Sequence, residues 1–395
     1  MNISKQTIDL GDRIAIAKRI DAYMHDNSDA MIETLACYVN HDTPSRDKTL
    51  LDALSRKIEP RFTAAGGRGE RIANAQGGDH LLIRFGPEST DTDSKPILII
   101  GHFDTVWPAG TALRRPFRID RGRGFGPGSY DMKASVVVIE FAVAAIRDLG
   151  LDLARRVTLL LGSDEEIGSP ESRPHIERLA RRSEFALVVE PPTADGSLKT
   201  ARKGVGRFRI EALGKAAHAG VEPEKGANAI VELAHQIVNI PLFQDLSRGT
   251  TLNVGLIEGG SGVNVVAAHA SAEIDARVSN AAEAERIERA FASLKALLPG
   301  TKVVVSGGFN RPPMERTAAI AELFDRARSI AKSLDLDLTE ASTGGGSDAN
   351  FTAPLIATLD GLGVPGAGAH AEDEHVILEE IPRRAALFAL LLLYL

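Results

Sequence analysis

Residues 96–106 read Pro-Ile-Leu-Ile-Ile-Gly-His-Phe-Asp-Thr-Val. Four consecutive aliphatic residues without polar alternation suit a strand covered on both faces. The run ends at Gly101 and delivers His102 and Asp104 at its carboxyl end, where open α/β sheets place their sites. Similar short apolar runs occur at 157–161, 186–189 and 355–359, and helical stretches such as 133–149 lie between several of them. This alternation predicts an α/β fold: a mixed, mostly parallel sheet with helices on both faces. Ahead of it, residues 12–65 read as helices. Ile14, Ile16, Ile20 and Tyr23 recur at helical spacing, as do Leu50, Leu51, Leu54 and Ile58.

The pattern changes near Gly204. Arg207-Phe208-Arg209-Ile210-Glu211-Ala212 and Glu273-Ile274-Asp275-Ala276-Arg277-Val278 alternate polar and apolar residues, which marks strands with one covered face. Helical stretches 227–240 and 281–298 can supply the cover. Residues 204–313 are therefore expected as an inserted α+β domain of ferredoxin-like type, interrupting a larger domain made of 1–203 and 314–395. The 395 residues are long for one core, in keeping with two domains.

The formal net charge of -7 argues against a general nucleic-acid binder, which needs a basic surface. Cys37 is the single cysteine, so no intramolecular disulfide and no Cys-rich metal site is possible; it reads as filler on the buried side of a helix. The longest apolar run, 385–395, falls short of the roughly 18 residues of a spanning helix and suits a helix packed on the sheet. With no apolar signal-peptide core at the N-terminus, a cytoplasmic location away from the membrane is expected.

Several strand ends carry residues with zinc-type side chains. His102 is a good zinc ligand, and in extended chain Asp104 points to the same side and can hold its imidazole; a surface His-Asp hydrogen bond is the plainer alternative. Asp131, in Gly126-Pro127-Gly128-Ser129-Tyr130-Asp131-Met132-Lys133, stands before a helix and, taken alone, reads as an N-cap. The alternating glycines 122, 124, 126 and 128 do not form a dinucleotide fingerprint. Asp164-Glu165-Glu166 follows a buried strand; adjacent glutamates can divide metal binding from base catalysis, or form an ordinary acidic loop. Glu190 ends the run at 186–189. A loop after the last strand holds His370 and His375, the latter expected exposed and structural. No nucleophile elbow, Walker loop or H-E-x-x-H motif competes.

Taken in order, Gly101-His102-Phe103-Asp104-Thr105-Val106, the Asp131-Met132-Lys133 segment, Asp164-Glu165-Glu166-Ile167-Gly168-Ser169, Glu190-Pro191, Gly214-Lys215-Ala216-Ala217-His218-Ala219-Gly220 and Gly368-Ala369-His370 resemble the co-catalytic zinc family of aminoacylases, desuccinylases and carboxypeptidases. The resemblance runs from about residue 30 to the C-terminus. Within the family, Thr343-Gly344-Gly345-Gly346-Ser347-Asp348-Ala349 and Ile381-Pro382-Arg383-Arg384 are most similar to folate-cleaving glutamate carboxypeptidases. Two positions depart from the family pattern: Ala134 stands where Gly is usual, and His375 where an aromatic residue is frequent.

The resemblance implies two zinc ions per chain, with Mn2+ or Co2+ as substitutes. Asp131 bridges them, His102 and Glu190 complete one, and Glu166 and His370 complete the other. It also implies that Asp104 orients His102 and that Glu165 is the general base. His218 reaches the partner subunit's site in a homodimer and polarises the scissile carbonyl, with Asn264 near the same oxygen. Arg277, Arg311, Lys199 and Gly345 hold substrate carboxylates, although each Arg read alone is a surface salt bridge. The expected reaction is amide hydrolysis releasing a C-terminal amino acid, glutamate foremost, from a small N-acyl amino acid or short peptide. Deacylation of N-acyl amino acids and an aminohydrolase reaction on aromatic amines are the alternatives on the same scaffold.

Overall fold

The computed structural model describes residues 10–86, 94–153 and 155–395. The chain forms two compact units. The first is the chain up to Thr200 with Arg316–Ser342 and Ser347–Leu395; the second is Ala201–Glu315 with Thr343–Gly346. The sequence reading keeps all of 314–395 in the first unit. The excursion at 343–346 departs from it because Gly344, Gly345 and Gly346 carry no periodicity to read.

The first unit is built on a six-stranded sheet in the order Arg68–Ile72, His80–Phe85, Val157–Gly162, Ile97–His102, Phe185–Val188, Thr358–Leu359. Ile97–His102 runs parallel to both neighbours, and Thr358–Leu359 is parallel to Phe185–Val188. The two strands at the other edge are antiparallel. Every residue of Ile97–His102 and Val157–Gly162 is buried, which is why their sequence shows no alternation. From Ile97–His102 the chain winds outward to Val157–Gly162, then crosses back to Phe185–Val188 on the other side. The winding reverses at Ile97–His102, and such a reversal opens a crevice at the carboxyl end of the strand.

Helix Ala134–Asp148 makes the crossover. It is buried almost throughout and packs against the C-terminal helix Glu380–Tyr394. That contact explains the terminal apolar run: Leu387, Phe388, Leu390, Leu391 and Leu392 all lie in the main core. Of the N-terminal positions read as apolar, Ile20 is buried, whereas Ile14 is exposed. Cys37 corrects the sequence reading, being exposed. In helix Ser28–Val39 the inward residues are Met31, Thr34, Leu35, Tyr38 and Val39, and Cys37 lies two residues, about 200°, from Leu35.

The second unit is a four-stranded antiparallel sheet ordered Thr251–Gly259, His269–Val278, Gly204–Leu213, Lys302–Arg311. Helices Ala229–Asn239 and Ala281–Ala292 cover one face. Phe208 and Phe291 stack there with centroids 4.1 Å apart. The second helix ends at Ala292 rather than near 298. Buried Glu232 accepts hydrogen bonds from the amides of Leu297 and Leu298 and from Thr301 Oγ1, drawing the following segment into a turn. A helix cannot offer those amides.

Candidate metal centre

His102, the last residue of its strand, is 1% exposed. Its Nδ1 lies 3.1 Å from the carbonyl oxygen and 3.3 Å from Oδ1 of Asp104. Nδ1 facing these acceptors carries a proton, so a cation taking the place of a proton on Nε2 would meet that nitrogen's lone pair. There Nε2 lies 3.2 Å from Asp131 Oδ1 and 3.5 Å from Glu190 Oε1. Glu190 arrives from the adjacent parallel strand, just beyond Val188.

On the other side, Asp131 Oδ2 lies 3.5 Å from His370 Nε2, which lies 3.1 Å from Glu166 Oε2. The two oxygens of Asp131 thus face different histidines. His370 has φ 63° and follows Gly368 at φ 79°. This left-handed backbone is uncommon outside glycine and costs on the order of 1–3 kcal/mol, held by the surrounding loop.

Two sets of candidate ligand atoms result: His102, Asp131, Glu190, and Asp131, Glu166, His370, each within 4.8 Å of one another. His102 Nε2, Asp131 Oδ1 and Glu166 Oε1 are buried without a hydrogen-bond partner. Ligands about 2.0–2.1 Å from a tetrahedral zinc stand about 3.3 Å apart, close to the 3.1–3.5 Å found here. The residues present therefore fit a pair of cations sharing Asp131.

The charge balance agrees. Asp104, Asp131, Glu166 and Glu190 crowd two histidines, and the cluster draws in positive charge. Burial disfavours charged His102, yet Asp104, Asp131 and Glu190 raise its pKa well above the ordinary value. Asp131 and Glu166 raise His370 to about 10. Burial pushes Glu166 up to about 7 despite its His370 partner. Burial also opposes ionised Asp131, but His102 and His370 hold its carboxyl below the usual range.

Asp104 is fully buried. Besides facing His102, it accepts from the amides of Glu165 and Glu166, both at 3.2 Å, and from Ser45 Oγ at 2.7 Å. It therefore fixes the turn Glu165–Ile167 as well as the imidazole. Glu165 is half-buried in that turn, beside Glu166. Lys199 Nζ donates at 2.6 Å to the carbonyl of Pro191, the residue after Glu190.

The remaining predicted site residues belong to the second unit. His218 and Asn264 are exposed on adjoining loops: His218 bridges to Val265, and the amide of Ala219 donates to the Asn264 carbonyl at 3.0 Å. Arg277 and Arg311 are both in register with Val205, on either side of it, so all three share one sheet face. Arg311 is buried. Arg277 is bound to Asp275, Nε to Oδ1 and Nη2 to Oδ2, both at 2.9 Å, which is the plainer reading of that residue. Its Nη1 reaches the Gly344 carbonyl at 3.5 Å, and the Gly345 carbonyl accepts from buried Arg202 at 3.0 Å.

The profile of peptidase family M20/M25/M40 matches residues 98–394. The chain belongs to that family. This M20-family chain is thus a hydrolytic enzyme. It is 29% identical over 381 residues to carboxypeptidase G2 of Pseudomonas sp. (strain RS-16), covering 93% of this chain and 90% of that protein. It is also 29% identical over 370 residues to succinyl-diaminopimelate desuccinylase of Acidovorax ebreus, covering 85% and 90%. Its fold matches that of aminopeptidase PepT from Bacillus cereus with a TM-score of 0.74 at 21% identity, over 93% of this chain and 98% of that one.

Two features of the M20-family site were not read from the sequence. Ser45 lies 59 positions from Asp104 and has no motif around it that signals a contact. His375, expected exposed, is buried beside Phe125 with ring centroids 4.9 Å apart. It opens the short strand His375–Ile377, which pairs with Arg123–Phe125; a three-residue strand is too short to show periodicity. Among the described residues, no helix is long and apolar enough to cross a membrane.

Proposed function

We propose that this enzyme is a dizinc carboxypeptidase-type amidohydrolase that releases a C-terminal amino acid, glutamate before others, from an N-acyl or peptidyl substrate. One observation carries the metal part: the two oxygens of Asp131 face His102 and His370 separately. His102, Asp131 and Glu190 would hold one ion, and Asp131, Glu166 and His370 the other. When bound, zinc supplies Lewis acidity toward water and toward the scissile carbonyl.

The chain's own residues do the rest. Glu165 takes the proton from the attacking water and passes it to the leaving nitrogen. Asp104 keeps His102 in its Nδ1–H form and holds Glu165 in place. His218 of the partner subunit, with Asn264, donates to the developing oxyanion. Arg311 holds a substrate carboxylate, assisted by Lys199, the backbone at Gly345, and Arg277 if it exchanges Asp275 for substrate. A homodimer is supported by apolar residues left open on the second unit: Val238, Leu242, Leu256 and Ile257 are each more than 60% exposed. Strand Thr251–Gly259 is also an unpaired edge there. Closed two-fold pairs commonly cover such surfaces.

Release of a C-terminal residue is supported by the likeness to carboxypeptidase G2, glutamate as that residue by the resemblance of 343–349 and 381–384 to glutamate carboxypeptidases, and a desuccinylase-type reaction by the equal identity to the Acidovorax protein. A panel of N-acyl glutamates, aspartates, leucines and N-succinyl amines, assayed with added zinc for released amine, separates them. Turnover of succinyl amines above all acyl glutamates would replace the first reading by the second.

A further inference from the structure

Glu374 is 2% exposed, and its carboxylate accepts four hydrogen bonds. Oε1 takes the amides of Tyr130 at 3.1 Å and Asp131 at 3.0 Å; Oε2 takes the amide of Gly128 and the indole Nε1 of Trp107, both at 2.9 Å. Its backbone carbonyl accepts from the amide of Gly126 at 3.2 Å. These donors come from separate loops. Trp107 lies five residues beyond His102, the glycine segment ends in Asp131, and Glu374 itself lies four residues beyond His370. One carboxylate thus joins the three loops that carry His102, Asp131 and His370.

The segment needs such a clamp. Gly126 and Gly128 have φ of 150° and 74°, and Asp131 is non-helical at φ -116° inside a turn that otherwise leads into helix Ala134–Asp148. The amides of Gly128, Tyr130 and Asp131 donate to this carboxylate rather than to a helical carbonyl, and a buried carboxylate with four donors is satisfied only in one arrangement. Arg115 closes the outside: its guanidinium stacks 4.0 Å over Trp107 and donates to the Glu372 carbonyl at 2.9 Å.

We propose that Glu374 is the positioning residue of the centre: it sets the direction of Asp131 and the spacing of the loops bearing His102 and His370, without touching a metal or substrate. This rests on the metal-centre reading above. The test uses the full chain freed of metal by chelation, as wild type, Glu374→Gln and Glu374→Asp. Zinc binding is followed by calorimetry, thermal unfolding without metal, and amide exchange across 126–133. Gln turns one acceptor oxygen into a donor facing two donors. Asp keeps the charge but withdraws it by one methylene.

Both variants are expected to bind zinc at least about tenfold more weakly at both sites, the usual cost of losing a residue behind the ligands, and to lose protection at Gly128, Tyr130 and Asp131. Wild-type zinc affinity in either folded variant overturns the proposal, including the case where only the metal-free unfolding temperature falls. If the Gln variant does not fold, rapid exchange of those three amides in metal-free wild type overturns it independently. Failure of the wild type to bind zinc would sink the metal centre itself, a result distinct from all of these.

Discussion

The amide of Glu165 donates to Asp104 Oδ1 at 3.2 Å. The adjacent amide of Glu166 donates to Oδ2 of the same carboxylate at 3.2 Å, so two neighbouring glutamates are held from behind by one buried acid. Glu166 then aims Oε2 at His370, 3.1 Å away. The proposed roles of base, for Glu165, and ligand, for Glu166, are thus separated by one peptide unit.

Exchanging these two residues should give different phenotypes. Glu165→Gln should keep near-normal zinc content and lose turnover by several orders of magnitude. Glu166→Gln should lose one zinc of two. Elemental analysis beside kcat decides it, and interchanged results would reverse the assignment.

Mixing subunits tests where His218 acts. His218 is exposed on its own unit, which suits a role across a dimer. His218→Ala and Glu165→Gln should each be inactive alone. Heterodimers should recover activity, up to one working site in two, because one site regains both groups. No recovery after proven subunit exchange would place His218 in its own chain's site or outside catalysis.

Arg311 should decide preference for acidic substrates. It is buried and shares a sheet face with Arg277, which is already bound to Asp275. Arg311→Ala should lower kcat/KM for glutamyl substrates by about 2 kcal/mol or more, roughly thirtyfold, with a much smaller loss on leucyl substrates. Equal losses would mean that Arg311 holds the α-carboxylate common to both.

Away from the site, Glu140 should impose a pH dependence on stability. It is buried in helix Ala134–Asp148, takes the hydroxyl of Tyr38, and pairs with Arg61 Nε at 2.7 Å. Burial nevertheless pushes its pKa from 4.5 to about 7. Between those values the folded state holds the proton more tightly than the unfolded state, so stability falls as pH rises from 4.5 to 7 and levels off above. Glu140→Gln should remove this fall. Relative to wild type, the metal-free variant should gain on the order of 3 kcal/mol across the window, read from urea midpoints. Parallel profiles for the two proteins would show that Glu140 is not the group responsible.

The sequence by itself determined the strand ends and what stands on them. A strand buried on both faces must be continuously apolar, so 97–100, 157–161 and 186–189 were legible, and with them His102, the Asp164-Glu165-Glu166 turn and Glu190. The alternating strands of the second unit were legible for the converse reason, having one covered face. For Asp131 the residues alone left ligand and N-cap open; the resemblance implied its sharing between His102 and His370, and the tertiary structure brings one oxygen to each. It also decided that Ser45 serves Asp104, that Glu374 binds Gly128, Tyr130, Asp131 and Trp107, and that Glu232 binds the amides of Leu297 and Leu298 beyond the helix end at Ala292. These are contacts between distant segments made by single polar side chains. Hydrophobic periodicity records which face of an element is buried. It carries no record of which buried carboxylate meets which amide, because that depends on loops whose geometry is set only when the sheet and its covering helices have packed.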